Sequence, residues 1–333
     1  MKRFFPAFFI FFAAATTSIK ASPNVNGVNE AFSSIAGTLT AIVPENTTAM
    51  ITTPEAYVGK LYPSIPKHFS IGISTSGTLV DTSVFTDRIQ FFLDDMKASV
   101  ATIGGSLSID FPSLPPKLPV PTTSIQARFG GILYPFDIGL FAITTGKDLL
   151  KFNAAEFGIA LDYTALGAEV RYAVLQGSVF IPQVSLGFGY SYHTQDLKIS
   201  TSKEISYAPP STNTGNLSSA SNIFLRTHTI FASAQISRRF LFTIPFLGIR
   251  AIMTKSDASY GWSYTTTQNG TKVDSASAEG SGSLSKNFDF AGIKPQIFGG
   301  LTLTFPYFEM GFYTSWNILT NYFSGAVSMN VKI

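Results

Sequence analysis

The chain of 333 residues is 45% hydrophobic and 14% aromatic but only 13% charged, roughly half the charge of an ordinary soluble domain, which argues against a solvated globular surface. After the leader no apolar run approaches the roughly 20 residues that a spanning helix needs, so a helical membrane protein is excluded too. Cysteine is absent, ruling out disulfides, thiolate metal sites and a cysteine-linked lipid anchor, and without Lys2, Arg3 and Lys20 the chain holds twenty basic residues against twenty acidic, a balance that points to no nucleic-acid partner.

Met1-Lys2-Arg3 followed by the apolar stretch from Phe4 to Ala15 reads as a secretory signal peptide ending near Ala21. In residues 22–66, Val28, Phe32, Ile35 and Leu39 recur at helical spacing, and Pro54 to Leu61 fits a second short helix. This segment is either a plug inside the rest of the molecule or a helical piece packed below it. From residue 67 the period becomes two. A further helix interrupts at Asp81 to Met96, with Phe85, Ile89, Phe92 or Leu93, and Met96 on one face. A strand-like run over Ser99 to Phe111 leads into Pro112 to Pro121, whose five prolines read as a connection rather than a paired strand.

The strongest alternation lies in the hundred residues after this run, and weaker alternation continues to residue 333. In Pro182 to His193, Val184, Leu186, Phe188, Tyr190 and Tyr192 share one face and Ser185, Gly187, Gly189, Ser191 and His193 the other. Phe141, Ile143 and Phe231 break the polar face of their strands, and Tyr260, Trp262 and Tyr264 sit on the opposite parity from Leu247 to Met253, which a bulge near Lys255 to Asp257 would repair. Residues 200–222 and 266–285 read as long polar loops.

These segments give an all-β fold, an antiparallel transmembrane β-barrel of about twelve strands over residues 67–333, with ten to fourteen allowed. A soluble sandwich also alternates. Membrane is favoured by aromatics at the ends of the apolar faces (Tyr163, Tyr190, Tyr192, Trp262, Tyr264, Trp316), expected in interfacial belts, and by charges on the small, polar face (Arg128, Glu156, Asp162, Glu169, Arg171, Arg250, Glu309), expected to line a lumen. The glycines on that face leave room for a passage or a plug, or permit close packing across a narrow lumen. The signal peptide, the lack of cysteine, the Pro182 to Tyr192 strand and the C-terminal hairpins resemble outer-membrane barrels of Gram-negative and spirochaetal bacteria. The layout of an N-terminal helical stretch before a barrel is most similar to the long-chain fatty-acid transporter superfamily. That resemblance implies an integral outer-membrane location, membrane lipid as surroundings, the barrel assembly machinery as a partner in biogenesis, and a small, hydrophobic solute as cargo.

The functional expectation is a channel or facilitated transporter, not an enzyme, with no cofactor or metal. The alternative is a barrel-anchored surface protein whose two polar loops bind a partner. His68, His193 and His228 lie on separate strands and make no metal set; His193 with Asp196 is the single pairing that invites a catalytic reading.

Overall fold

The computed structural model describes residues 23–51, 69–110, 115–130, 135–145, 151–154, 157–176, 181–209 and 211–332. The signal peptide, the second N-terminal helix, His68 and Glu156 fall outside them.

Ten antiparallel strands form a closed up-and-down ring: β1 (Phe69–Asp81), β2 (Lys117–Gly130), β3 (Phe136–Thr145), β4 (Phe157–Gln176), β5 (Gln183–Tyr207), β6 (Gly215–Ser237), β7 (Thr243–Gln268), β8 (Lys294–Thr304), β9 (Phe308–Asn317) and β10 (Phe323–Lys332). Each pairs with its sequence neighbours, and β10 closes on β1 from Ser70↔Lys332 to Leu79↔Phe323. The count is ten rather than twelve for two reasons. The run from 99 belongs to a helix and a short extended piece, and the strands expected at 155 and 166 are one continuous β4.

The outward faces carry an apolar band around the ring, with Ile73, Ile125, Leu166, Phe188, Leu247 and Ile249 all more than half exposed. Exposed apolar area on this scale is stable only against lipid. β3, β8, β9 and β10 are 10 or 11 residues long, the length that crosses a bilayer. Short turns at 238–242 and 305–307 lie at one end, and the long connections lie at the other, the asymmetry of periplasmic and extracellular sides. No helix among the described residues is long and apolar enough to cross a membrane.

β5, β6 and β7 run 25, 23 and 26 residues, more than twice the bilayer length, and project beyond the long-loop side as a tall extension. Here polarity inverts. On β5 the outward residues change from Phe188, Tyr190 and Tyr192 to Asp196, Lys198 and Ser200, while the inward ones change from Ser191, His193 and Gln195 to Leu197, Ile199 and Ile205. The change falls on one hydrogen-bonded row, Thr164↔Thr194↔Arg226↔Asp257. No bulge accompanies it: β5, β6 and β7 stay in unbroken register. Tyr260, Trp262 and Tyr264 are therefore buried inside, and the expected repair of their parity is unnecessary because the surroundings change, not the chain.

Two helices, α1 (Val25–Ile51) and α2 (Ser83–Ala101), pack against the inner face of the extension and keep part of their surface exposed. The helical spacing of Val28, Phe32, Ile35 and Leu39 makes one buried stripe on α1, and Ile89, Phe92, Leu93, Met96 and Val100 make one on α2. Phe32 and Phe92 pack edge to face at 5.3 Å, and Phe32 lies parallel to Trp262 at 6.4 Å. Asp81, one residue before the N-cap Thr82 of α2, accepts from the Ser83 backbone N–H at 2.9 Å.

Three expected connections are strand. The outer faces of residues 200–207 and 215–222 are Ser, Glu and Asn apart from Ala220, which gives the sequence a loop-like composition, yet Ile205 and Leu217 point into the core. Beyond the Asn269-Gly270 turn, both residues at positive φ, Thr271–Lys272 and Ala278–Lys286 fold back onto β7. Pro119 and Pro121 pair with β1. Two residues apart, they turn their missing N–H groups to the same side, and the β2–β3 pairing begins only at Ser124↔Ile143.

Candidate functional site

Two places could carry function, the interior of the ring and the outer face of the extension.

At the short-turn end, the starts and ends of β2, β3 and β4 bring four charges together. Arg128 donates through Nη1 to Asp137, and through Nη2 to Glu169 Oε2 at 2.8 Å; Arg171 holds Asp137 with Nε and Nη2 at 3.0 and 2.8 Å. All four are at most 5% exposed. Two cations balance two anions, so the group closes on itself as a polar floor rather than presenting one sign to a solute.

Above it, aromatic rings lie over glycines of the neighbouring strand. A Cβ on Gly167 would come within 2.1 Å of the Phe141 ring, one on Gly189 within 2.1 Å of Phe231, and one on Gly248 within 2.3 Å of Phe298. Each glycine is the direct cross-strand partner of its ring. Phe141 and Phe231, which break the polar pattern in the sequence, are thus explained: the inward glycines seat rings that fill the lumen.

The C-terminal half of α1 enters this lumen through polar contacts. Glu45 accepts from Asn317 Nδ2 at 2.5 Å and Gln296 Nε2 at 2.9 Å. Arg250 Nη1 donates to the Thr48 carbonyl at 2.8 Å, and its guanidinium stands over the Phe298 ring at 4.7 Å. Thr47 Oγ1 lies 2.8 Å from His193 Nδ1 and 2.9 Å from the Tyr163 hydroxyl, while His193 Nε2 meets Ser191 Oγ at 3.1 Å. This cluster sits at the inversion row, where the polar lumen meets the apolar core.

Of the expected lumen residues, Arg128, Glu169, Arg171, Arg250 and Glu309 are buried inside the ring. Asp162 is not; it is on the outer face, directly opposite Asp196. β4 keeps its parity, and Tyr163 rather than Asp162 points inward because the interior is already apolar there. Among the expected belt residues, Tyr190, Tyr192 and Trp316 face outward, whereas Tyr163, Trp262 and Tyr264 are at most 4% exposed and line the core. His193 and Asp196, three apart on a strand, point to opposite faces, so they form no dyad. Asp137, Glu45 and Thr47 were missed. Glu45 could have been found as the polar residue continuing the Val28, Phe32, Ile35, Leu39, Ile42 stripe.

The second place is a groove of about 830 Å³ on the outside of the extension, lined by Lys198, Ser200, Asn222, Ser263, Glu279 and Ser281 among others.

No protein-family model matches the chain, and no curated protein is similar to it in sequence. Among solved structures it is similar to the translocator domain of autotransporter NalP from Neisseria meningitidis (9% identity, 92% of this chain and 99% of that one, TM-score 0.34). It is also similar to a Pseudomonas aeruginosa FadL homologue (7% identity, 85% and 98%, TM-score 0.28) and to Ail, the attachment invasion locus protein of Yersinia pestis (9% identity, 80% and 95%, TM-score 0.23). The chains it resembles are outer-membrane β-barrels, and at these identities the likeness is one of layout.

Proposed function

We propose that the protein is a plugged outer-membrane barrel that serves as the anchor for a rigid extracellular extension, which presents its outer surface to partners. The observation that carries this reading is the filled interior: a neutralised charge floor, rings seated on glycines, and α1 held by Glu45, Thr47 and Thr48. Above the membrane, the dry core around α1 and α2 gives the extension the packing of a small domain. Secretion with cleavage near Ala21 and insertion by the barrel assembly machinery complete the reading.

A second reading is transport of a small hydrophobic solute, with α1 as a movable plug. It is favoured by the polar, exchangeable nature of the contacts that seat α1 in the lumen.

Reconstitution of the full chain in planar bilayers separates the two. The anchor reading expects no conductance and no uptake of hydrophobic solutes into liposomes beyond the lipid background. Steady solute-dependent uptake, lost when α1 is cross-linked to β7, would instead establish the transporter.

A further inference from the structure

The outer face of β5, β6 and β7 changes character in a fixed order along the membrane normal. Lowest are exposed apolar residues, Leu186, Phe188, Leu247 and Ile249. Next comes the row Tyr192↔His228↔Lys255, with Arg226 two residues above His228 on the same face. Highest is the groove, whose lowest row is Lys198↔Asn222↔Gly261.

His228 and Lys255 are directly opposite, with Cβ atoms roughly 5 Å apart, and Arg226 is the diagonal neighbour of Lys255 at roughly 7–8 Å, so the long Arg226 and Lys255 side chains reach a common point at the polar edge of the lipid band. The Tyr190 hydroxyl is 2.7 Å from His228 Nδ1, and the Tyr192 ring centroid is 5.0 Å from that of His228, which fixes the imidazole between two belt aromatics. Of the carboxylates on this face, Asp196 binds Lys198 at 2.8 Å, Asp257, directly opposite Arg226, accepts from Ser285 Oγ at 2.6 Å, Asp162 faces Asp196 one strand away, and Glu279 lies higher, in the groove. Among the described residues, neither Arg226 nor Lys255 is in an ion pair; Arg226 stands over the Phe224 ring at 5.1 Å. At the upper ends of β8, β9 and β10 the outward residues are Ile297, Trp316 and Phe323, with no charge.

We propose that this face binds a phosphorylated glycolipid of the surrounding leaflet. Its acyl chains lie on Leu186, Phe188 and Ile249, its phosphate sits between the Arg226 guanidinium and the Lys255 ammonium with His228 beneath, and its saccharide occupies the groove. The order apolar, cationic, hydroxyl-rich is the order of parts in such a lipid. Arginine and lysine supply charge-assisted donors to phosphate oxygens. Ser200, Asn222, Ser263 and Ser281 supply paired donors and acceptors for sugar hydroxyls, and the groove volume lies within the roughly 300–1,000 Å³ of ligand pockets.

The test uses the full chain, purified in mild detergent and offered an equimolar mixture of monophosphoryl lipid A, its dephosphorylated counterpart and phosphatidylglycerol, with retained lipid read by native mass spectrometry. Monophosphoryl lipid A should be retained roughly tenfold over either competitor. The double substitution R226Q/K255Q should remove that preference, and Asn222→Trp, which fills the groove, should reduce lipid A retention while leaving phosphatidylglycerol unchanged. All three positions face outward, and an unchanged heat-modifiable gel mobility confirms the fold. Equal retention of the dephosphorylated glycolipid, or a preference that survives R226Q/K255Q, overturns the phosphate site. Equal retention of phosphatidylglycerol overturns the saccharide assignment. Displacement by millimolar inorganic phosphate overturns the lipid as the source of the phosphate. None of these outcomes depends on whether the barrel conducts.

Discussion

The lower and upper halves of β5 to β7 share one backbone, one register and one parity, yet bury opposite chemistries. Below the row Thr164↔Thr194↔Arg226↔Asp257 the strands are apolar outside and polar inside; above it they are polar outside and apolar inside. Geometry decides which side chains share a face, and the solvent on each side decides what those side chains must be. A single continuous strand can serve two solvents if its sequence changes sign where the solvent does.

The largest expected effect attacks the polar interior of the lower half. Arg171→Leu leaves Asp137 and Glu169 with one cation between them in a buried site, and loss of one partner from such a network costs about 3–5 kcal/mol. Urea unfolding in lipid vesicles should show this loss. A stability equal to the parent's would mean that water reaches the floor.

The comparison is sharpest on one face of one strand. Ile249 and Ser263 both point outward from β7, fourteen residues apart. Ile249→Arg should cost about 2–4 kcal/mol, because it places a cation against lipid, whereas Ser263→Arg, in water, should change stability by no more than about 0.5 kcal/mol. Similar costs for both would remove the boundary row. Gly189→Ala is the smallest of the interior changes. Its Cβ must displace the Phe231 ring, and overpacking of this kind costs about 1–3 kcal/mol, readable as a lowered thermal midpoint of the heat-modifiable form.

The alternation of Val184 to Tyr192 against Ser185 to His193 was legible because that stretch lies almost wholly in the lipid zone, where apolar means outward. Applied to Tyr163, Trp262 and Tyr264, the same rule turned the residues inside out, since above the boundary apolar means inward and period alone carries no direction. Residues 200–222 were hidden differently: their wet faces are Ser and Asn, so composition spoke for loop while Ile205, Leu217 and every second residue carried the strand. The site was less legible than the fold. Arg128, Glu169 and Arg171 were recognisable as inward charges, but their union with Asp137 depends on strands brought together in space. The seat of α1 depends on contacts such as Asn317 to Glu45, 272 positions apart in sequence.

The position of α1 also dictates an order of events. The helix precedes β1, yet it ends enclosed by strands up to β9 and by a wall whose last join, β1 to β10, links residues as distant as Thr78 and Ser324, whose hydroxyls meet at 2.7 Å. Ring closure therefore waits for nearly the whole chain: residues 246 positions apart must meet before the seat of α1 is complete, and a step that demands such distant contacts is slow.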